Sequence, residues 1–393
     1  VIAGEILTDH PARYRAMVIE AANPVHSLAD SGRLAEALRS LDTVVVIDVA
    51  MTETARQADY ILPAATQSEK WEATFFNFEF PDNYFQLRKP LLDAPPEALP
   101  EAEIHARLVE AMGAMPDALC DELTAALEQG GRDAYRARFM QAMAEEPSVA
   151  DLAPVFLYRT LGPTLPEGAA AAAVLWPVAL GFAMREPQSL ARAGFEGQPL
   201  AQGEALFDAI LAGHSGIIFA RDDYPGSWSR LGNDGAIRLD IPELLAELPV
   251  LNEPQQEGNN EDFPFVLMAG ERRDYSANTI YRDAGWRRKH HGGALLINPE
   301  DATRLGIASG TTVRITTGVG SALIGVEKTD RMHPGHVSLP NVFVMDNEDG
   351  SRSGVAVNEL TSLDHRDRFA GTPLHKYVPA RIEAVGGDRC PDR

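Results

Sequence analysis

Cysteine is nearly absent: Cys120 and Cys390 are the only two in 393 residues. Two thiols so far apart cannot build a disulfide framework, a zinc site or an iron–sulfur spacing. Their scarcity fits a reducing, cytoplasmic compartment. Positive charge is also short, with 35 Lys and Arg against 57 Asp and Glu and a net charge of -22. That balance argues against nucleic acid and against an anionic membrane surface as partners. Neither a GxxxxGK[ST] phosphate loop nor a GxGxxG turn occurs. The most apolar run, residues 168 to 184, falls short of the roughly 20 residues a bilayer span needs. It is Ala-rich and interrupted by Pro177, so it reads as a buried helix. Histidines offer no obvious chemistry: His375 has no Cys, Ser or carboxylate at motif spacing, and we assign it no catalysis. His290-His291 and His333/His336 lack third and fourth ligands in any recognisable pattern, so no metal site is assigned.

What is present begins at residue 17. An apolar run, Met17 to Ala22, ends at Asn23-Pro24. A helical pattern with Leu28, Leu34, Ala37 and Leu38 on one face follows. Two more apolar runs come next, Thr43 to Ile47 stopping at Asp48, and Tyr60 to Leu62 stopping at Pro63. Continuous apolar strands alternating with a helix predict a parallel α/β unit. Asn23-Pro24 and Asp48 then lie at neighbouring carboxyl ends of strands, where open α/β sheets bind ligands. There a carboxylate can accept two hydrogen bonds from a guanine edge or a ribose diol; Asp48 also fits a helix cap or a turn. Val1 is not Met, and two or three parallel strands cannot cover themselves. The chain is therefore expected to be the C-terminal part of a longer one.

Residues 65 to 90 read as an aromatic, packed loop with Phe75, Phe76, Phe78, Phe80, Tyr84 and Phe85. Beyond a Pro-rich bridge, helices are predicted over Glu101 to Met112, Asp117 to Glu128, Arg132 to Ala144 and Glu204 to Ala212, with a strand over Gly216 to Phe219 and a loop holding Tyr224 and Trp228. Residues 252 to 262 have a linker's composition. From Phe263 the period becomes two. Strands are predicted at Phe265 to Ala269, Ala294 to Ile297, Thr311 to Thr317, Ala322 to Glu327, His336 to Leu339 and Tyr377 to Glu383. One short helix interrupts them, capped by Asn298 with Pro299 at its first position and ended by Gly306. Gly318-Val319-Gly320 makes a hairpin turn. Six strands in so short a span suggest a closed barrel. The fold class is thus α/β: a partial parallel-sheet dinucleotide-binding domain (1–90), a helical middle region (91–257) and a C-terminal six-stranded β-barrel (258–393).

The barrel segment carries an unusual cation run: Arg272, Arg273, Arg282, Arg287, Arg288, Lys289, His290 and His291. Guanidinium groups meet diphosphate oxygens bidentately, so the run suits such a ligand. A solvated face paired with the acidic surface is the other use. Gly270 lets a backbone approach a ligand closely, and Ser276, Asn278 and Thr279 offer neutral donors nearby.

Several of these stretches together resemble one family. Asn23-Pro24, Asp48, Met51-Thr52-Glu53-Thr54-Ala55 and Ala58-Asp59-Tyr60-Ile61-Leu62-Pro63-Ala64 resemble the molybdopterin oxidoreductases of the dimethyl-sulfoxide-reductase and formate-dehydrogenase type. Asn298-Pro299-Glu300-Asp301-Ala302 with Leu305-Gly306-Ile307, Asn358-Glu359-Leu360-Thr361 and Gly371-Thr372-Pro373 with His375-Lys376 resemble the family's C-terminal dinucleotide-binding barrel. The resemblance covers about residues 15 to 80 and 263 to 385.

The resemblance implies two molybdopterin guanine dinucleotides around molybdenum or tungsten, an iron–sulfur cluster in the missing N-terminal part, and electron-transfer subunits as partners. It implies that Asn23, Pro24, Asp48, Thr52 and Glu53 line one guanosine pocket. Gly270, Arg272, Ser276, Asn278, Asn341, Asn358 and Lys376 would lie along pterins and diphosphates. Formate is the first substrate it suggests and nitrate the second. Two departures stand out. The family's Asn-Thr-Glu-Gly-Arg run is replaced by Ala73-Thr74-Phe75-Phe76-Asn77-Phe78-Glu79-Phe80-Pro81, which has no arginine. The cluster cysteines and the metal-ligating residue are absent as well, so the catalytic residues stay unknown. A cofactor-free scaffold subunit of a respiratory complex, or an unrelated nucleotide-binding module, remain the other classes.

Overall fold

The computed structural model describes residues 2–74, 79–230, 236–237, 239–249, 260–271, 282, 293–340, 345–346 and 352–389. The chain forms two compact units, one of Val1–Pro63 with Pro249–Arg393 and one of Ala64–Leu248.

In the first unit, α1 (Ile2–Leu7) leads into β1 (Ala16–Glu20), α2 (Pro24–Ser27), α3 (Ser31–Arg39), β2 (Thr43–Asp48) and β3 (Tyr60–Pro63). The three strands are parallel in the order β1-β2-β3, with Glu20 opposite Ile47 and Asp48 opposite Pro63. The predicted carboxyl-end rim therefore exists, with Asn23 just past the end of β1 and Asp48 the last residue of β2. Ile19, Val44 and Val46 bury one face against Ala3, Ile6, Leu34, Ala37 and Leu38 of α1 and α3. The single helix expected from Leu28 to Leu38 is two helices. Asp30 takes φ 58, a left-handed turn that breaks the chain between them, and Leu28 lies outside both helices at 39% exposure.

The second unit carries paired short strands, β4 (Glu72–Ala73) with β6 (Leu87–Arg88) and β5 (Asp82–Phe85) with β7 (Ile217–Arg221). Its helices are α4 (Glu101–Ala111), α5 (Asp117–Glu145), α6 (Ser148–Asp151), α7 (Ala153–Thr160), α8 (Leu175–Arg185), α9 (Pro187–Arg192), α10 (Pro199–Ala212), α11 (Tyr224–Ser229) and α12 (Pro242–Leu245). The two helices expected between Asp117 and Ala144 abut at Gly131, whose φ of 65 and ψ of -161 interrupt the helical path. The apolar run at 168–184 becomes a 3-10 turn feeding α8, and Trp176, Ala179 and Ala183 are buried in the unit's core. Tyr224 and Trp228, expected in a loop, sit on α11, whose start is capped by the Asp223 side chain accepting from the Gly226 amide. Phe75, Phe76 and Phe78 lie outside the described residues. Among the described residues no helix is long and apolar enough to cross a membrane.

The rest of the first unit is the barrel. Its strands are β8 (Phe265–Glu271), β9 (Leu295–Ile297), β10 (Thr311–Thr317), β11 (Ser321–Lys328), β12 (His336–Pro340) and, after the short pair β13 (Met345–Asp346) and β14 (Arg352–Ser353), β15 (Val378–Arg389). It closes in the order β10-β11-β9-β12-β8-β15. Closure leaves no free strand edge among these six, and alternate residues such as Leu267, Val313, Ile315, Val337, Leu339 and Ile382 fill the interior. Between β9 and β10 runs α13 (Pro299–Arg304), where Asn298 Oδ1 accepts from the Glu300 amide at 2.8 Å and Gly306 turns at φ 66. The cap, the first-turn proline and the closing glycine fall where their sequence signals put them.

Candidate functional site

The site is built on the rim of the parallel sheet. β2 ends in Asp48 because its apolar, β-branched run stops there. The Asp48 side chain is 7% exposed. Its Oδ1 accepts from the Val49 amide at 2.7 Å, and Oδ2 from the Thr52 hydroxyl at 3.5 Å. Burial raises the Asp48 carboxyl above its usual range, against the pull of the Val49 and Ala50 amides, Thr52 and the Arg282 charge. Because the Thr52 bond is long, Asp48 keeps acceptor capacity for another group. Thr52, fully buried, accepts from the Ala55 amide at 3.2 Å and so links Asp48 to the turn that follows.

Asn23, at 0% exposure, joins the two strand ends. Its Oδ1 accepts from the Thr54 amide at 3.1 Å and the Thr54 hydroxyl at 2.8 Å, and its Nδ2 donates to Glu53 at 2.8 Å. Pro24, half-buried, occupies the first turn of α2. Glu53 is 4% exposed, and both its carboxylate oxygens accept from one Arg282 nitrogen at 2.8 Å. Burial alone would lift the Glu53 carboxyl; the bonds from Arg282 and Asn23 more than offset it and hold it below its usual range. Ala21, between β1 and Asn23, has φ 49. A left-handed conformation there strains an alanine, and strain of this kind gathers at ligand-binding rims.

The barrel contributes from two directions. Gly270 has φ 90 and falls where the β8–β12 register skips a residue, a bulge at the carboxyl end of β8. Such bulges re-aim a strand end. Exposed Lys376 donates to the Gly270 carbonyl at 3.1 Å. Asn358, 3% exposed, donates to the His26 carbonyl at 2.7 Å and accepts from the Thr361 hydroxyl at 3.1 Å, while the Asp30 amide donates to the Thr361 carbonyl at 2.9 Å. His375 lines a cleft of about 190 Å³ with Leu28, Leu34, Leu363 and Pro373; burial and then the Lys376 charge push its imidazole pKa down.

The structure thus brings Asn23, Pro24, Asp48, Thr52 and Glu53 together on one rim and sets Gly270 beside Lys376 at a barrel end. Arg272, Ser276, Asn278 and Asn341 lie outside the described residues, as does the cation run apart from Arg282. Asn23, Glu53 and Asn358 direct their polar atoms at protein partners. Sequence reasoning missed three participants. Arg282 was one of eight cations with nothing to single it out. Thr54 and Thr361 were in view, since each lies inside a quoted motif, but a hydroxyl's partner cannot be read from spacing.

Residues 8–111 match the molybdopterin oxidoreductase family and residues 265–379 the molydopterin dinucleotide binding domain family. The two matches carry the rim and the barrel respectively. These two segments are what the chain shares with the molybdopterin oxidoreductases. It is 39% identical over 110 residues to the formate dehydrogenase 2 subunit alpha of Methanococcus maripaludis, covering 28% of this chain and 16% of that one. To the formate dehydrogenase 1 subunit alpha of the same organism it is 24% identical across 97% of this chain and 45% of the relative. The dimethyl sulfoxide/trimethylamine N-oxide reductase of Cereibacter sphaeroides is 24% identical over 93% of this chain and 40% of its own. The chain thus spans less than half the length of these relatives. Acetylene hydratase from Pelobacter acetylenicus shares the fold, with a TM-score of 0.54 and 17% identity over 98% of this chain and 46% of that one.

Proposed function

We propose that this chain holds the nucleotide tails of molybdopterin guanine dinucleotide in a molybdenum- or tungsten-dependent oxidoreductase. The observation that carries the reading is Asp48: a carboxylate, nearly buried, at a strand end, with acceptor capacity left, inside the segment that matches the oxidoreductase family. Its two oxygens suit the N1–H and 2-amino group of a guanine edge. The barrel residues fit the other end of such a ligand. Lys376 keeps donors beyond the one on Gly270, and the positive-φ bulge lets backbone approach an anionic group.

When bound, the metal and its pterins supply the redox chemistry. The residues of this chain bind and orient the dinucleotide. Asp48 accepts from the base, Thr52 sets the Asp48 side chain, and Lys376 offers positive charge to the diphosphate. Formate is the substrate we favour, with nitrate second; the formate dehydrogenase subunits among the relatives support that order. Formate oxidation to carbon dioxide releases two electrons and a proton, so carrier subunits would complete the enzyme, with an iron–sulfur cluster outside this chain. Purification of the native enzyme tests the reading. Molybdenum or tungsten together with acid-released guanine nucleotide is the expected result. Active or fully assembled native material without metal or guanine nucleotide would leave a scaffold subunit as the answer, and an adenine nucleotide would point to an unrelated module.

A further inference from the structure

We propose that Arg282 is a positioning residue for base recognition: reaching from the connection after β8, it pins the 49–54 loop through Glu53 and Asn23 and so fixes where Asp48 stands. This rests on the guanine reading of the rim.

A path of bonds supports it. One Arg282 nitrogen lies 2.8 Å from both Glu53 oxygens, although the two residues are 229 positions apart in sequence. Glu53 also accepts from Asn23, and Asn23 holds both the amide and the hydroxyl of Thr54. The Thr54 hydroxyl accepts from the Val25 amide at 3.0 Å, which closes the path back to β1's end. The same loop carries Thr52, the residue that touches the Asp48 carboxylate and the Ala55 amide. Moving Glu53 therefore moves Thr52 and, with it, the orientation of Asp48.

The energetics favour a specificity role over bulk stability. The Arg282 and Glu53 side chains are 18% and 5% exposed. Taking two charges out of water offsets most of their attraction, and apolar residues of the same volume often hold a fold as well. What the ion pair provides is direction and charge balance. It cancels the Glu53 charge beside a second acid, so that Asp48 is the rim group that presents net negative charge to a base.

The test is equilibrium binding of GMP and IMP to the intact chain. IMP lacks the 2-amino group, so the GMP/IMP affinity ratio reads the Asp48 geometry and little else. Wild type should favour GMP by about tenfold, the discrimination a good bidentate base contact provides. Arg282→Ala and Glu53→Gln should bring the ratio towards one while near-ultraviolet circular dichroism stays native. Arg282→Lys, which restores charge without the guanidinium fork, should fall between, and it decides the matter should Arg282→Ala fail to fold. Phe156→Ala, in the core of the other unit, is the stability control and should keep the wild-type ratio. A wild-type ratio in Arg282→Ala or Arg282→Lys, with the ratio lost in Asp48→Asn, overturns the inference and leaves the guanine reading intact. No GMP preference in wild type overturns both.

Discussion

The helical unit and the unit that joins the rim to the barrel treat polar groups in opposite ways. Among the described residues of the helical unit, Thr160, Ser189 and Gln202 are the buried polar ones. Its charges lie in partly exposed networks such as Arg159 with Glu103 and Glu110, and Arg230 with Glu186 and Asp222. Its interior is aromatic: Tyr135, Phe139, Phe156 and Trp176 meet edge to face or tilted, at centroid distances of 5.7–6.2 Å. The other unit buries Asn23, Asp48, Thr52, Glu53, Thr54, Asn358 and Thr361. Burying such groups is unfavourable unless each finds a partner, and all of these have one. A domain that needs only stability has no use for a desolvated carboxylate with capacity to spare. The difference separates a packing unit from a binding unit.

Four substitutions sharpen or break this comparison. Phe156→Ala removes a fully buried ring from the helical core and should cost about 4 kcal/mol in denaturant unfolding of that unit. Nucleotide binding should be unchanged by it; a lost GMP preference would contradict the division of labour. Glu53→Ala leaves Arg282 and Asn23 without their shared acceptor and should cost about 3 kcal/mol. The lowered Glu53 carboxyl also predicts a pH signature. Its contribution is complete above the ordinary glutamate value, 4.5, and is lost as pH falls through the lowered value. The variant should therefore have a flatter acid limb in a pH series of melting temperatures. Ala21→Gly relieves the left-handed strain and should add up to about 1 kcal/mol. A loss of stability there would show that the Ala21 methyl packs usefully. Arg159→Ala should cost about 0.5 kcal/mol, since partly exposed ion pairs contribute little. A loss several times larger would place buried charge in the helical unit and erase the contrast.

Much of the binding unit was legible in the sequence because its signals are local. Period-two runs marked the six barrel strands, and Asn298, Pro299 and Gly306 bracketed the helix between them. The apolar runs ending at Asn23 and Asp48 located the rim. What stayed hidden was non-local. Nothing in Arg282's neighbourhood says that it meets Glu53, nor does anything near Asn358 say that its side chain bonds the His26 carbonyl. Local signals also misled: in the helical unit, polar turn residues around Tyr224 concealed a short helix capped by Asp223, and in the rim's own unit a periodic pattern ran through the left-handed break at Asp30.

Asp48→Asn tests the central claim most directly when its stability and its GMP affinity are measured side by side. Burial raises the Asp48 carboxyl, so the folded state holds that proton more tightly than the unfolded chain does. Its ionisation therefore lowers stability as pH rises from 3.8 through the raised value. The account predicts that Asp48→Asn is more stable than wild type at pH 7 and binds GMP about tenfold more weakly. A variant that is less stable and binds GMP as well as wild type does would contradict it.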